Sequence, residues 1–344
     1  ERPAHPVFDA ETQPLMTMIR AALHDDDPLA IVIGGTVVAS LALEQEGEEQ
    51  PEGWVSLLQS FIEIDLAETT ALLHLAAAVT TDDLLRARLR RVLAERRQPM
   101  PALVTGLSAV TAESTWFMGH ELGDGDNVIV GITFPGGEPL TAVVYIDHNM
   151  GTIVKDAFVI PEPASRIVTR FTELAQEEGP DAQPPVPIDP AEARARIEQA
   201  ITNFVLLYPD WTQDDWPTNR PLIEFLIRTL PSGGEGYAVE SFTPHRIGAL
   251  SSQFLSSPEA AHLPDSYAVL EAAEVLMDFG NDHSGDPLRW SPVVVEVALA
   301  QEVVLDPEVS EEALDILPEV LPALIRFAHR ERRISAQSTR ETLA

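Results

Sequence analysis

Two histidines and several carboxylates crowd one stretch of the chain: His120, Asp147, His148 and Asp156 all fall between residues 113 and 160. Imidazole nitrogens and carboxylate oxygens together can hold a divalent cation and activate water. Were these four side chains to meet at one sheet edge, the chain would have the parts of a metal-dependent hydrolase. The spacing gives that reading little support. No HExxH or comparable ligand pattern occurs, and His120 and Glu121 are adjacent, so on a strand their side chains leave opposite faces. Asp124 and Asp126 lie in DGDN, where Asp and Gly are favoured on backbone grounds alone. Asp282, His283 and Asp286 form a second cluster, without the spacing of a calcium-binding EF-hand.

Nucleophilic chemistry has even less support. There is no cysteine, which removes thiolate nucleophiles, disulfides and cysteine-ligated metals. Ser108 lies in GLSAV, which is not the GxSxG elbow. Ser232–Gly236 is glycine-rich but is not a phosphate loop. The balance is against an enzyme, and no cofactor is implied.

The elements that must position these residues start with the only long segment that reads as sheet, Glu113–Ile160. Four runs rich in Val, Ile and aromatic residues (ESTWFMGHE, VIVGITF, PLTAVVYID and TIVKDAFVI) are separated by DGDN, PGGE and HNMG, clusters that supply hairpin turns. This predicts a four-stranded antiparallel meander. Val128, Val130, Ile132 and Phe134, with Leu140, Ala142, Val144 and Ile146, make one apolar face that helices must cover. The other face carries Ile129, Val143, Tyr145, Val154 and Phe158, too apolar to stand open to water.

Around the meander the periodicity is helical. Glu11–His24 predicts a short helix, and Pro28–Leu43 a buried strand or core helix rather than a membrane span, since no run reaches the length a span needs. Trp54–Val79 has helical spacing, and Thr81 can cap a following helix bearing Arg86, Arg88, Arg90, Arg91, Arg96 and Arg97. Pro161–Glu178 can fold back over the sheet. The proline-rich Glu177–Pro190 reads as an extended linker. It divides the chain into an α+β domain, residues 1–182, and an all-α domain, residues 183–344. In the second half helices are expected at Pro190–Tyr208, Leu222–Leu230, Pro244–Ser256, Pro264–Phe279 and Val293–Val304. A last long helix from Ser310 is expected to kink or restart at Pro318 and Pro322, and another to begin near Ser338.

The net charge of −33, from 55 acidic against 22 basic side chains, disfavours direct contact with nucleic acid or anionic membranes and suits a basic protein partner. Candidate partner-binding residues are Arg86, Arg90 and Arg97, Trp211 and Trp216 in a polar aromatic turn, and Arg330 and Arg333 at a cationic helix end. Each has a plainer reading: solvated arginines near a helix carboxyl end, and tryptophans that pin a loop to a helix pair. Lys155 is the chain's single lysine, consistent with a composition biased toward arginine.

VVYIDHNMGTIVKDAF, and the later segments GDPLRWSPVVVEVAL, LPEVLPALIRFAHRERR and STRETLA, resemble an uncharacterised family of acidic, arginine-rich proteins of high-GC actinobacteria. The resemblance implies a bacterial, cytoplasmic protein and lends no activity, cofactor or catalytic residue. Where that family often carries a tryptophan and basic residues, this chain has LAQEVVLDPE. The expectation is therefore a non-catalytic adaptor or regulatory protein with a strongly acidic surface, with a metal-dependent hydrolase as the alternative.

Overall fold

The computed structural model describes residues 12–25, 27–46, 56–178, 183–208, 216–238, 242–304, 306–307 and 309–344. Helices α1 (Thr12–His24), α2 (Pro28–Glu46), α3 (Leu57–Glu63), α4 (Ala67–Val79), α5 (Asp83–Glu95) and the short α6 (Ala102–Thr105) precede the sheet. Strands β1 (Thr111–Gly119), β2 (Gly125–Thr133), β3 (Pro139–Asp147) and β4 (Ile153–Ile160) form the predicted meander. After α7 (Ala164–Glu178), a two-residue strand β5 (Val186–Pro187) adds to the edge of β1, giving the order β4-β3-β2-β1-β5. The helices α8 (Pro190–Leu207), α9 (Trp216–Ile227), α10 (Pro244–Leu255), α11 (Tyr267–Ser284), α12 (Pro292–Val297), α13 (Glu311–Arg332) and α14 (Ala336–Thr342) complete an α+β chain. No described helix is long and apolar enough to cross a membrane.

Both faces of the sheet are covered, as its side chains require. Val128, Val130, Ile132, Leu140, Ala142, Val144 and Ile146 join one large apolar cluster with the first helices. Ile129 and Val143, on the other face, pack against Ala164 and Ile167 of α7. The stretch Pro28–Leu43 is helix rather than strand, because its glycines allow close helix crossings. A Cβ on Gly35 would lie 2.4 Å from Leu75 Cδ1 and 3.2 Å from Ile19 Cδ1, so only a bare backbone lets α2 approach α1 and α4 this closely.

Several boundaries differ from the sequence expectation for local reasons. Trp54–Val79 is not one helix: Leu66 adopts an extended conformation, which separates α3 from α4. Asp82, not Thr81, caps α5, its carboxylate accepting from Leu84 N and Leu85 N. The helix expected to end at Phe279 continues to Ser284, and Gly285 ends α11 in the left-handed region at φ 74°. The kink or restart at Pro318 and Pro322 does not divide α13, which keeps its assignment through both. The last helix starts from Ser335, whose hydroxyl accepts from Ser338 N, rather than from Ser338.

The proline-rich segment is extended, but it is also attached. Ile188 N donates to Thr115 O at 3.1 Å, and Thr115 Oγ1 donates to Ile188 O at 2.6 Å. Apolar side chains beyond it, Ala193 to Leu230, share the cluster that includes the sheet, while a second cluster runs from Phe242 to Ala328. The changeover between apolar clusters thus comes after Leu230, later in the chain than the proline-rich segment.

One of the six arginines of the α5 region is built into this framework. The Arg96 guanidinium, 7% exposed, donates to the carbonyls of Phe61 (2.9 Å), Ile62 (2.7 Å) and Ile64 (2.7 Å) and to Asp65 Oδ1 (2.9 Å). It satisfies carbonyls at the open carboxyl end of α3, where the Thr69 hydroxyl also donates to Ile64 O at 2.6 Å. Arg96→Ala is expected to lower stability by about 2–3 kcal/mol, read as a shift in the urea midpoint. Arg96→Lys should recover less than half of the loss, because an ammonium cannot fork across several carbonyls.

Candidate binding cleft at the turn end of the sheet

The β1–β2 and β3–β4 turns lie at the same end of the sheet, and the second apolar cluster docks there through polar groups. Three consecutive residues at the end of β3 each tie a different part. Asp147 Oδ1 accepts from Asn149 N (2.9 Å) and Met150 N (3.2 Å), closing the turn, and Asp147 Oδ2 accepts from Lys155 Nζ at 2.9 Å. His148 bridges Asp126 Oδ2 (2.9 Å) and Thr152 Oγ1 (3.1 Å). Asn149 Nδ2 donates to Asp124 Oδ1 at 3.1 Å, and Asn149 Oδ1 accepts from Arg289 of the second cluster. Arg289 also donates to Gly123 O at 2.7 Å.

A second tie runs the other way. Glu121, in the β1–β2 turn, accepts from Ser335 N at 2.7 Å and from the Ser338 hydroxyl, so a carboxylate sits at the amino end of α14. Burial by itself would raise the Glu121 pKa, but the hydrogen bonds from Ser338 and Ser335 outweigh it, and the carboxyl is held below its ordinary range. Close by, His329 is buried between Trp290 O (2.8 Å) and Thr339 Oγ1 (2.9 Å). Its burial lowers its pKa, opposed by the Trp290 carbonyl and by the charge of Glu121.

Between these ties lies a cleft of about 870 Å³. Its polar wall carries Glu121, Asp124, Asp147, Glu341, His120 and Lys155; Met118, Met150, Val293 and Val297 supply apolar surface. Tyr145 reports the field inside: burial first, then the charges of Asp147, Asp124 and Asp126, push its pKa up. Its ring lies across Gly125, where a Cβ would come within 2.5 Å of the hydroxyl oxygen. Carboxylate charge therefore dominates this cleft despite the lysine.

Of the sequence candidates for a metal, His120 and Asp147 line this cleft, whereas His148 lines a smaller cavity of about 370 Å³. Asp147 is engaged by Lys155, and His148 by Asp126 and Thr152. Asp156 is exposed and lies opposite Tyr145 in the β3–β4 register. His120 is half exposed, its Nδ1 3.7 Å from Asp124 Oδ2. Among the described residues, no three His, Asp or Glu side chains are grouped so as to hold a metal ion. In the other cluster Asp286 Oδ1 accepts from Leu288 N, and its other oxygen pairs with Arg332, while His283 stacks on Phe279 at 5.3 Å.

Thr152, His148 and Asp126 stand in the order hydroxyl, imidazole, carboxylate, which is that of a nucleophile, base and orienting acid. The nearby donors do not complete such a site. Gly151 N donates to His148 O, and Asn203 Nδ2 to the carbonyls of Gly151 and Thr152, each at 3.1 Å from Asn203, so none is aimed at a developing oxyanion. What the relay does is hold Thr152 at φ 56°, a conformation costly for a β-branched residue. Tyr237 packs edge-on against His148 at 4.9 Å, and burial, then the Asp126 charge, raise its pKa.

The proposed partner-binding residues are dispersed. Arg86 pairs with Asp83 and donates to Thr80 O; Arg90 and Arg97 are exposed on the same region. Arg330 pairs with Glu259 at 3.0 Å and lies over the Phe327 ring. Arg333 is exposed and ends α13 in the left-handed region at φ 58°. Trp216 is a correction: it is fully buried and packs edge-on against Phe204 at 6.2 Å, so it anchors α9 to α8 instead of offering a recognition surface. Trp211 lies outside the described residues. Sequence reasoning passed over Asn149, Arg289, Ser338 and Glu341, whose meeting depends on two distant turns. No protein-family model, curated protein or solved structure matches this chain.

Two outcomes follow from the titratable ties. His148→Ala is expected to cost about 2–3 kcal/mol in urea unfolding, because it strands the buried Asp126 carboxylate. Stability should also fall in two stages on acidification. The depressed His329 makes the unfolded chain bind protons first below about pH 6.5, and the depressed Glu121 does so below about pH 4.3. Glu121→Gln should flatten the second stage in a pH series of denaturation midpoints and, by removing the charge that opposes the lowering at His329, deepen the first.

Proposed function

We propose that this chain is a non-catalytic protein-binding protein, an adaptor or regulator, whose carboxylate-lined cleft takes a basic segment of a protein partner. The carrying observation is the meeting of Glu121, Asp124, Asp147 and Glu341 around one cleft whose negative field is registered by Tyr145. A lysine or arginine side chain has the matching shape: its aliphatic stem can lie on Met118, Met150, Val293 and Val297 while its charged end reaches the carboxylates. The net charge of −33 extends the same preference outward, raising the local concentration of cationic partners and repelling anionic ones. The imidazoles and carboxylates that first suggested hydrolysis are largely engaged in holding turns, which supports binding over catalysis.

The test uses the full chain immobilised in an extract of its own cells, alongside titration with a basic peptide alternating Lys and Leu and a matched acidic one. A stoichiometric protein released by salt, and a basic peptide bound more tightly than the acidic one, are expected. Each exposed ion pair contributes about 0.2–1 kcal/mol, so Asp124→Asn with Glu341→Gln should weaken the basic peptide about tenfold. Equal binding of both peptides, or indifference to the double substitution, would remove the proposal.

A further inference from the structure

A second cavity, of about 700 Å³, opens among α4, α5, α6 and α9, in the first apolar cluster and away from the acidic cleft. Its charge is the reverse of the chain's. Arg86, Arg90, Arg228 and His74 line it, and no Asp or Glu is among its described lining residues, in a chain with 55 acidic side chains. Its floor is apolar: Ala77, Val104, Leu107, Val110 and Phe225 are all buried. Ser108, Thr105 and Thr229 also line it.

Part of this arrangement serves the fold. Arg228 donates to Val79 O at 2.7 Å, and Arg86 to Thr80 O, so both close the carboxyl end of α4. That role accounts for two arginines and not for the third. Arg90 has no hydrogen-bond or ion-pair partner among the described residues, and it stands four residues from Arg86 on α5, a like-charge spacing that destabilises a helix. Arg228 is also disfavoured as a cation: burial first lowers its pKa, and the charges of Arg86 and Arg194 add to this, with Glu224 opposing. An anion in the cavity would relieve these costs together. Guanidinium groups present paired N–H donors that match the oxygens of carboxylate and phosphate, and a cavity of this size with an apolar floor suits a small organic molecule.

We infer that the cavity bounded by Arg86, Arg90 and Arg228 is a binding site for a small organic oxyanion, a phosphate or carboxylate head on an apolar body. The head meets the three guanidinium groups at the rim, and the body covers Val104, Leu107 and Phe225. This site is independent of the basic-partner reading of the acidic cleft.

Octanoate and phenyl phosphate are the probes, titrated calorimetrically into the full chain, with octanol and inorganic phosphate as controls. At least one organic anion is expected to bind with a millimolar or lower Kd, more than tenfold tighter than both controls, weakening as salt rises. Which of the two binds distinguishes a carboxylate from a phosphate head. Arg90→Gln should weaken that binding about tenfold without lowering the thermal midpoint, since Arg90 holds no structural bond and its removal relieves the like charge of Arg86. Arg228→Gln should weaken binding too, with some loss of stability from the uncapped α4. Failure of both organic anions to bind, binding indifferent to Arg90→Gln, or inorganic phosphate and octanol matching the organic anions would each overturn the inference.

Discussion

At the junction between the turn end of the sheet and the second apolar cluster, one guanidinium spans both turns. Arg289 reaches Gly123 O in one turn and Asn149 Oδ1 in the other, so the two hairpins are gauged against each other and against the later helices by one rigid planar group. Burial works against its charge, and Asp124, Asp286 and Asp147 sustain it. The acidic residues of the cleft thus have a structural duty before any binding role: they make it tolerable to place a cation at the seam. Removing them would loosen the junction as well as the field.

The same economy of parts recurs elsewhere. Glu121 caps α14 and lines the cleft; Asp147 closes a turn, holds Lys155 and contributes negative potential. Arg228 and Arg86 close α4 and border the second cavity. In each case a charge fixed by backbone partners has little freedom to reorient, and a preorganised charge binds a ligand with less ordering cost than a mobile one. The two cavities also differ in sign, with carboxylates dominating the cleft at the turn end of the sheet and arginines the cavity among the first helices.

The meander could be read in the sequence because its signals are local: alternation within each strand, and turn-forming residues between them. Its covering on both faces was legible in part: Ile129 and Val143 pack under α7 as expected, whereas Val154 joins the first cluster and Phe158 is exposed. Helix starts at Pro190 and Pro244 were likewise visible, each marked by a proline. What could not be read depends on distance in the chain. Nothing local indicates that Arg289 meets Asn149, or that Ser338 meets Glu121. His148 and Asp147 are adjacent, and only their separate partners, Asp126 and Lys155, show that they face different cavities. Trp216 offers the same lesson, because its burial is decided by α8 rather than by the polar turn before it.

The short strand β5 has a meaning for how molecules of this chain meet one another. A sheet ends wherever backbone amides lack a neighbour, and such a border invites strands from other chains. Here one border is closed by Val186 and Pro187, and proline has no amide hydrogen with which to extend the ladder. The opposite border is β4, where Asn219 from α9 donates to Ala157 O at 2.9 Å and the charged pair Lys155 and Asp156 interrupts the apolar run. Each border of an apolar antiparallel sheet thereby carries a local obstacle to pairing with another chain, at Trp116 and Phe117 on one side and at Lys155 to Ala157 on the other.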